Sequence, residues 1–282
     1  MPFSKDLLIG ASGNQGGGQF YEYLIEQSVR LQRSTTSNTG TNGSGFYRDQ
    51  ADIPTPTDSK KFTFSTWLKK LSAGLDYYQV LLFAIVSSAG KNIYIDHSTD
   101  SYNDKIYSGE FGSSGYVYDA ALRDTASWYH LVFIWDTTQS TQSDRQKFYI
   151  NGTQQDVGST RSNWSLNENV HWNEAVSHNA GYAIGYNAFG HTEGNSYGFY
   201  GYLAETIGID GQDVSISDLG ESKNGVWIPK DPSGLTFGNN GYHLKYENAS
   251  DLGNDSSGNN NDFNTRNLDS AYQSLDSPTF GS

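Results

Sequence analysis

The sequence contains no cysteine, and this absence excludes disulfide bridges and thiolate metal sites. A chain of 282 residues can bury a large core without such cross-links. Methionine occurs once and proline six times, and no stretch has the length and apolar character of a membrane span. The N-terminus lacks the charged region and long apolar core of a signal peptide. We therefore predict neither a signal peptide nor insertion into a membrane.

Basic residues are also scarce. The 18 lysines and arginines stand against 31 aspartates and glutamates, which gives a net charge of −13. Binding to a phosphate backbone depends on lysine and arginine, so this balance argues against a nucleic-acid partner. It argues equally against an anionic membrane surface. The acidity is compatible with cation binding or with simple repulsion between molecules, and the second explanation is favoured.

Glycine and aromatic residues are abundant, which is typical of many short strands joined by turns. The clearest example lies in residues 128–157. An aromatic and β-branched run at 128–135 is followed by a polar segment and a second run at 146–150. Asn151-Gly152 then predicts a type I′ turn, because both central residues of that turn need a positive φ. This segment indicates an antiparallel all-β protein.

Other segments extend the pattern, and the ends of the chain differ from its middle. Residues 78–86 are continuously apolar, as expected for a central strand covered on both faces. With no long helix and no repeat, we expect a sandwich or jelly roll in one domain, residues 21–247. Residues 1–20 would form a flexible glycine-rich arm. Residues 248–282, rich in asparagine, aspartate and serine, would form an irregular tail packed on the sandwich.

Four blocks stand out in order along the chain. They are Phe-Thr-Phe-Ser-Thr-Trp at 62–67, the pair at 128–133 and 148–152, Tyr-Ala-Ile-Gly at 182–185, and Gly-Tyr-Leu-Ala-Glu-Thr-Ile-Gly-Ile at 201–209. Together these blocks resemble the strands of concanavalin A-like, laminin-G-type domains. The resemblance covers about residues 60–220. It implies an all-β, two-sheet antiparallel jelly-roll sandwich.

The flanks carry a second resemblance. Segments at 3–13, 23–31, 225–230, 240–246, 255–263 and 276–279 resemble structural proteins of marine tailed phages that contain this domain. This resemblance implies a fibre, appendage or head-decoration protein of the virion, with other virion proteins and sister subunits as partners. The apolar residues of the arm, Phe3, Leu7, Leu8 and Ile9, would then anchor the protein to the particle.

No catalytic residues are predicted. A glycan hydrolase on this fold would need carboxylates that point into one cleft. The nearest candidates are Glu205 and Asp210, whose odd spacing places them on opposite faces of a strand. The six histidines show no metal-ligand spacing, and no nucleophile elbow or phosphate-binding loop is present. We therefore predict a non-enzymatic protein and keep glycan hydrolysis only as a remote alternative.

One segment raises the possibility of a bound metal. Asp251, Asp255 and Asp262 could supply oxygen ligands for calcium, although their spacing does not match an EF-hand loop. The segment resembles one that sometimes holds calcium in laminin-G-type domains. The alternative is a loop of Asx turns that satisfies its own backbone, and this alternative is favoured. No other cofactor is predicted.

Two long loops around the strand near residue 181 carry aromatic residues, namely Trp164, Trp172, Phe189, His191 and Tyr197. These side chains could pack onto the sandwich, contact a neighbouring subunit, or bind a host-surface glycan. Packing onto the sandwich is the favoured interpretation. The aromatic residues of the 128–157 hairpin are expected to serve the core alone. A carbohydrate-binding receptor module is the main alternative to the virion structural protein.

Overall fold

A computed structural model describes residues 20–33, 43–71, 78–86, 89–96, 104–110, 114–160, 163–173, 182–186 and 198–279. In chain order, the strands of these residues are β1 (Ser28–Leu31), β2 (Gly45–Arg48), β3 (Lys61–Lys70), β4 (Gln79–Val86), β5 (Ala89–Asp96), β6 (Lys105–Glu110), β7 (Ser114–Ala121), β8 (Tyr129–Asp136), β9 (Gln146–Ile150), β10 (Thr153–Gln154), β11 (Val157–Thr160), β12 (Tyr182–Ile184), β13 (Gly201–Asp210), β14 (Gly220–Lys223), β15 (Val226–Pro229), β16 (Tyr242–Leu244), β17 (Asn264–Arg266) and β18 (Gln273–Ser274). Helical structure in this part of the chain consists of α1 (Ile216–Leu219) and the 3-10 turns Gln50–Asp52, Gln142–Asp144, His171–Asn173, Pro232–Gly234 and Ser270–Tyr272.

The strands form two antiparallel sheets. The first has the order β10-β9-β8-β3-β13-β1-β18, and β16 also pairs with β13. The second has the order β11-β7-β6-β5-β4-β12-β2-β17. Strands β14 and β15 form a separate hairpin. The predicted all-β jelly-roll sandwich is therefore confirmed. None of the helices described here has the length and apolar content that crossing a membrane requires.

The predicted hairpin is present. Strands β8 and β9 pair antiparallel, and Ile150 faces Thr153 across the turn into β10. Asn151 and Gly152 have φ values of 47° and 77°, as a type I′ turn requires. The Asn151 side chain also accepts a hydrogen bond of 2.8 Å from the backbone N–H of His130. The turn is thus tied back to the first strand of the hairpin.

The main core lies between the two sheets, where alternate residues of each strand meet. On β8 the inward side chains are Leu131, Phe133 and Trp135, and Phe133 stacks on Phe148 of β9 at 4.3 Å between ring centroids. The outer face of the first sheet is also apolar. Residues 20–27, the β14–β15 hairpin and residues 275–279 lie against it, so this face has side chains from both ends of the chain.

The C-terminal segment from residue 248 packs on the sandwich, and two short strands within it extend the sheets. Strand β17 pairs with β2 and β18 pairs with β1. Leu252 and Phe263 from the same segment are buried in the core between the sheets. The segment is therefore more regular than its composition predicts, because the edges of the two sheets supply hydrogen-bond partners for its backbone.

Candidate functional site

A groove of about 670 Å³ lies on the outer face of the first sheet. Its aromatic residues are Tyr21, Trp67 of β3, Trp128 immediately before β8, and Trp227 of β15. Ser127, Thr153 and other exposed polar residues form its rim. The volume falls within the range of about 300–1,000 Å³ that small-molecule sites commonly have. We call this feature the tryptophan groove.

The position of Trp227 depends on two glycines. A Cβ atom on Gly152 would lie 2.4 Å from the indole ring, and one on Gly220 would lie 2.5 Å from it. Both distances are too short for a real contact, so only glycine lets the hairpin lie this close to the β9–β10 turn. The Asn-Gly turn that the sequence predicts therefore has a second role. It makes room for one wall of the groove.

A buried histidine supports the floor of the groove. His130 stacks on Trp67, with ring centroids 4.5 Å apart and an angle of 4° between the ring planes. The ring centroids of Trp227 and His130 are 6.2 Å apart, with an angle of 24° between their planes. The indole Nε1 of Trp227 donates to Nδ1 of His130 at 2.9 Å. Since Nδ1 accepts, the proton is on Nε2, which donates to Ser65 Oγ at 2.8 Å. The three rings thus form one hydrogen-bonded stack.

Burial lowers the pKa of His130 to about 3. The imidazole is therefore neutral near neutral pH, because the charged form would lose its hydration inside the protein. His130 is thus a neutral, hydrogen-bonded residue within a strand. It also means that the floor of the groove carries no charge.

The position of Trp128 is set by a hydrogen bond to Asp276. Its Nε1 donates to Asp276 Oδ1 at 3.1 Å, and Asp276 Oδ2 accepts from the ammonium group of Lys69 at 2.9 Å. Tyr202 lies beside the indole at 6.3 Å between ring centroids. Trp128 remains half-buried and lines the groove. A ligand with one apolar face and a polar edge would find an indole surface there, with hydroxyl and amide groups around it.

The sequence reasoning missed this groove, because it assigned the aromatic residues of the hairpin to the core. The structure corrects that expectation for Trp128. The available signal was the alternation along β8, which places Trp128 and His130 on the face opposite to Leu131 and Phe133. Trp227 gave no comparable signal, since it meets His130 across 97 positions of sequence.

Trp164 and Trp172, which the sequence analysis raised as contact residues, pack onto the sandwich. Trp172 is 2% exposed and lies 5.7 Å from Trp135 in the main core. Trp164 donates its Nε1 hydrogen to Gln146 Oε1 at 2.6 Å and packs beside His171. The crevice between them holds only about 50 Å³, well below the usual size of a ligand site. For these two residues the geometry agrees with the favoured interpretation.

The remaining predicted contact residues, Phe189, His191 and Tyr197, lie outside the described residues, as do Phe3, Leu7, Leu8 and Ile9 of the predicted arm. Their proposed roles stay predictions.

The three aspartates of the calcium hypothesis have other partners. Asp255 accepts hydrogen bonds from the backbone N–H groups of His243, Ser257 and Asn261 at 2.8–2.9 Å, and one from Ser257 Oγ at 2.7 Å. Asp262 Oδ1 accepts from the Asp255 N–H at 2.8 Å, while Asp251 is exposed. Among the residues that the structure describes, no group of three histidine or carboxylate side chains could hold a metal ion. The contacts are those of the alternative, a loop that satisfies its own backbone.

The two carboxylates considered for hydrolysis are buried and bound on different faces of β13. Glu205 accepts from the hydroxyl of Tyr23 at 2.6 Å and lies 2.5 Å from Nε2 of His243. Burial, together with the charge of Glu205, raises the pKa of Tyr23. Asp210 accepts from Asn173 Nδ2 at 2.6 Å and from the backbone of Thr57 at 2.7 Å. Both carboxylates tie loops to the sheet, and neither lines the tryptophan groove.

A β-bulge sets the position of Glu205. The register between β13 and β3 shifts between Ala204 and Ile207, and Glu205 has a φ of 49°. Because of the bulge, the carboxylate of Glu205 lies on the outer face of the sheet, near Tyr23 and His243. The next residue, Thr206, lies inside the sandwich, where its Oγ1 is 2.8 Å from Thr66 Oγ1.

The chain is similar to several solved structures, and one of them matches at a TM-score above 0.5. The chain matches a proposed carbohydrate binding protein from Bacteroides ovatus ATCC 8483 with a TM-score of 0.55 and 16% identity, over 86% of this chain and 58% of that chain. The chain thus spans little more than half the length of that protein. Domain 4 of AbnA, a GH43 extracellular arabinanase from Geobacillus stearothermophilus in complex with arabinotriose, matches at TM-score 0.37 and 17% identity over 68% and 76% of the two chains. The CBM40 of the Ruminococcus gnavus IT-sialidase matches at TM-score 0.39 and 10% identity over 70% and 97%.

No curated protein is similar enough in sequence to match the chain. The family model described as the concanavalin A-like lectin/glucanases superfamily matches residues 42–206, which is more than half of the 282 residues. This match contains three of the four sequence blocks complete, together with the first residues of the fourth, and it includes strands from both sheets. The chain therefore belongs to the concanavalin A-like lectin/glucanase superfamily.

Proposed function

We propose that this protein is a non-catalytic carbohydrate-binding protein that holds its ligand in the tryptophan groove. The observation that carries the proposal is the pair of half-buried indoles, Trp128 and Trp227, in a groove of about 670 Å³ with a polar rim. A sugar ring has an apolar face of C–H groups and an edge of hydroxyl groups. The indoles can cover the face, while hydroxyl and amide groups of the rim can bond to the edge.

The rigidity of the groove supports this function. Trp227 is fixed by its bond to His130 and by two adjacent glycines, and Trp128 is fixed by Asp276. An aromatic surface that is already in place costs little conformational entropy when a ligand binds. Membership in a superfamily named for lectins and glucanases is consistent with the proposal, although a fold alone does not determine a function.

The absence of hydrolysis is part of the same proposal. Glu205 and Asp210 are 5% and 0% exposed, and their oxygens are occupied by hydrogen bonds within the protein. A general acid and a nucleophile must both reach the glycosidic bond. Neither of these carboxylates can do so from its present position.

The setting that the flanks suggest is a tailed-phage virion, and we propose it as the context of this binding. It depends on the sequence resemblance of the flanking segments alone. In a particle, many copies would convert weak contacts with a host-surface glycan into useful avidity. Immunogold labelling of purified phage particles with an antibody against this chain would test it. Unlabelled particles would exclude the virion setting without affecting glycan binding.

A matched pair of tryptophan variants tests the groove. Trp128 and Trp164 are both half-buried indoles that donate one hydrogen bond to a side chain, but only Trp128 lines the groove. On a glycan array followed by calorimetry, we expect Trp128→Ala to weaken binding at least about tenfold, because one stacking surface is lost. Trp164→Ala should bind within about twofold of the unmodified protein.

Thermal unfolding of both variants shows whether each one is folded at the temperature of the assay. Full binding by Trp128→Ala, with loss of binding in a folded Trp164→Ala variant, would move the site to the crevice beside His171 and exclude the groove.

A further inference from the structure

We infer that the tryptophan groove selects neutral oligosaccharides and discriminates against sugars that carry a carboxylate, sulfate or phosphate group. This inference rests on the proposed function and specifies the class of ligand. It follows from the charges around the groove.

The lining of the groove is nearly free of charge. Among the described residues that line it, Lys69 alone carries a charged side chain. Its ammonium group lies 2.9 Å from Asp276 Oδ2, and the two side chains are only 15% and 27% exposed. An anionic sugar is normally held by arginine or lysine side chains that bond to its charged oxygens. Here the one candidate cation already has a carboxylate partner.

An incoming anion would have to compete with Asp276 for Lys69. Asp276 is itself held in place, since its other oxygen accepts from Trp128 Nε1 at 3.1 Å. A sugar carboxylate that approached Lys69 would therefore meet a fixed negative charge at short range. Placing a charge of the same sign close to the ligand is a common way in which a binding site rejects that ligand.

Next to the rim, a second lysine also has a carboxylate partner. Lys223, which follows the rim residue Ser222, lies 3.1 Å from the carboxylate of Glu22. His130 below the floor is neutral, because its Nδ1 accepts a hydrogen bond from Trp227. The net charge of −13 adds a long-range repulsion for anions.

A neutral sugar meets none of these penalties. The exposed rim residues Ser127, Asn151, Thr153 and Ser222 carry hydroxyl and amide groups, which both donate and accept hydrogen bonds. Such groups match sugar hydroxyls and leave no charge unpaired. The rim groups thus attract a neutral sugar, while the charge of Asp276 repels an anionic one.

The experiment uses matched pairs of glycans. An array should hold neutral oligosaccharides beside their sialylated and sulfated derivatives, including lactose beside 3′-sialyllactose, in a buffer of physiological salt. We expect the neutral member of each bound pair to bind at least about tenfold more tightly than its anionic member. Trp128→Ala should weaken this binding at least about tenfold, which would place it in the groove.

Two variants test the cause of the selectivity. Asp276→Asn keeps an oxygen acceptor for Trp128 but removes the partner charge of Lys69. The ratio of anionic to neutral affinity should rise about fivefold, the usual size of one partly exposed ion pair. Thr153→Lys adds an unpaired cation at the exposed rim and should raise the same ratio. It does not depend on the structural role of Asp276.

The outcomes separate the inference from the proposed function. Anionic members that bind as tightly as their neutral partners in the groove would overturn the inference and leave carbohydrate binding intact. A ratio that stays constant in both variants would also overturn it, because the selectivity would not come from charge. No binding to either set of glycans would overturn the proposed function and the inference with it.

Discussion

The indole Nε1 of Trp227 donates a hydrogen bond of 2.9 Å to Nδ1 of His130. This contact joins the β14–β15 hairpin to the central part of the first sheet, across 97 positions of sequence. His130 is 2% exposed, so water cannot replace Trp227 as the donor. One wall of the tryptophan groove and the folded core thus depend on the same bond.

Replacement of Trp227 by phenylalanine should therefore reduce stability. The ring keeps most of its apolar surface, but the Nδ1 acceptor of His130 is left buried without a partner. A buried polar group without its bond costs about 1–3 kcal/mol, and urea unfolding should show a loss of that size. Trp128→Phe is the control, since its partner Asp276 can bond to water. A loss in Trp128→Phe equal to that in Trp227→Phe would contradict this account.

The stability of the protein should fall as the pH decreases from 6.5 toward 3. The folded pKa of His130, about 3, lies below the ordinary value of 6.5, so the unfolded chain binds a proton that the folded chain excludes. The stabilising effect is complete above pH 6.5 and is lost through this window. The slope approaches about 1.4 kcal/mol per pH unit, which amounts to about 2 kcal/mol between pH 6.5 and 4.5.

The control for this prediction is His130→Phe, which keeps a flat ring against Trp67. Between pH 6.5 and 4.5, the free energy of unfolding of this variant should decrease by about 2 kcal/mol less than that of the unmodified protein. Hydrogen bonds from Ser127 and from the backbone of Ser233 lower the pKa values of Asp124 and Asp231, so these carboxyl groups also reduce stability at the acidic end of the window. They are present in both proteins, so the difference between the two pH profiles reports His130. An equal pH dependence in the variant would rule out His130 as the source.

The sequence was sufficient to predict the sandwich because its strands obey a local rule. Leu131, Phe133 and Trp135 alternate with outward residues on β8, and the Asn151-Gly152 turn fixes where the hairpin reverses. Both features are visible within about 30 residues of sequence. The resemblance to laminin-G-type domains added the arrangement of the two sheets.

The groove could not be predicted in the same way, because its parts are distant in sequence. Trp128 and Trp227 approach each other only after the β14–β15 hairpin folds over the first sheet. Trp172 is the reverse case, in which a residue outside the strands belongs to the core. It lies in a polar stretch that looks exposed, yet it is buried against Trp135. Burial of a loop aromatic depends on tertiary contacts that no local pattern reports.

Gly152→Ala should disturb both stability and ligand binding. Gly152 has a φ of 77°, and the new Cβ atom would lie 2.4 Å from the Trp227 ring, which must then move. Gly225 is a matched control with a φ of 80° and no atom within 4 Å of its Cβ position. Gly225→Ala should cost only the backbone term of about 1–2 kcal/mol. Calorimetry and urea unfolding should show a larger loss of stability for Gly152→Ala, and movement of the Trp227 wall should weaken glycan binding. Equal stability of the two variants would show that Trp227 adapts without cost.

The final prediction concerns Asp255, whose carboxylate accepts four hydrogen bonds within its own loop and from β16. Asp255 is 7% exposed, so Asp255→Ala leaves several backbone N–H groups buried without acceptors. We expect a loss of about 2–5 kcal/mol, measured by thermal or urea unfolding. Asp262→Ala removes one such bond and should cost about 1 kcal/mol, and the exposed Asp251→Ala should change stability by less than about 0.5 kcal/mol. Because these contacts need no ion, the melting temperature should be the same in EDTA and in millimolar calcium. A melting temperature that rises with calcium in the unmodified protein, but not in Asp251→Ala, would instead establish the calcium site that the sequence suggested.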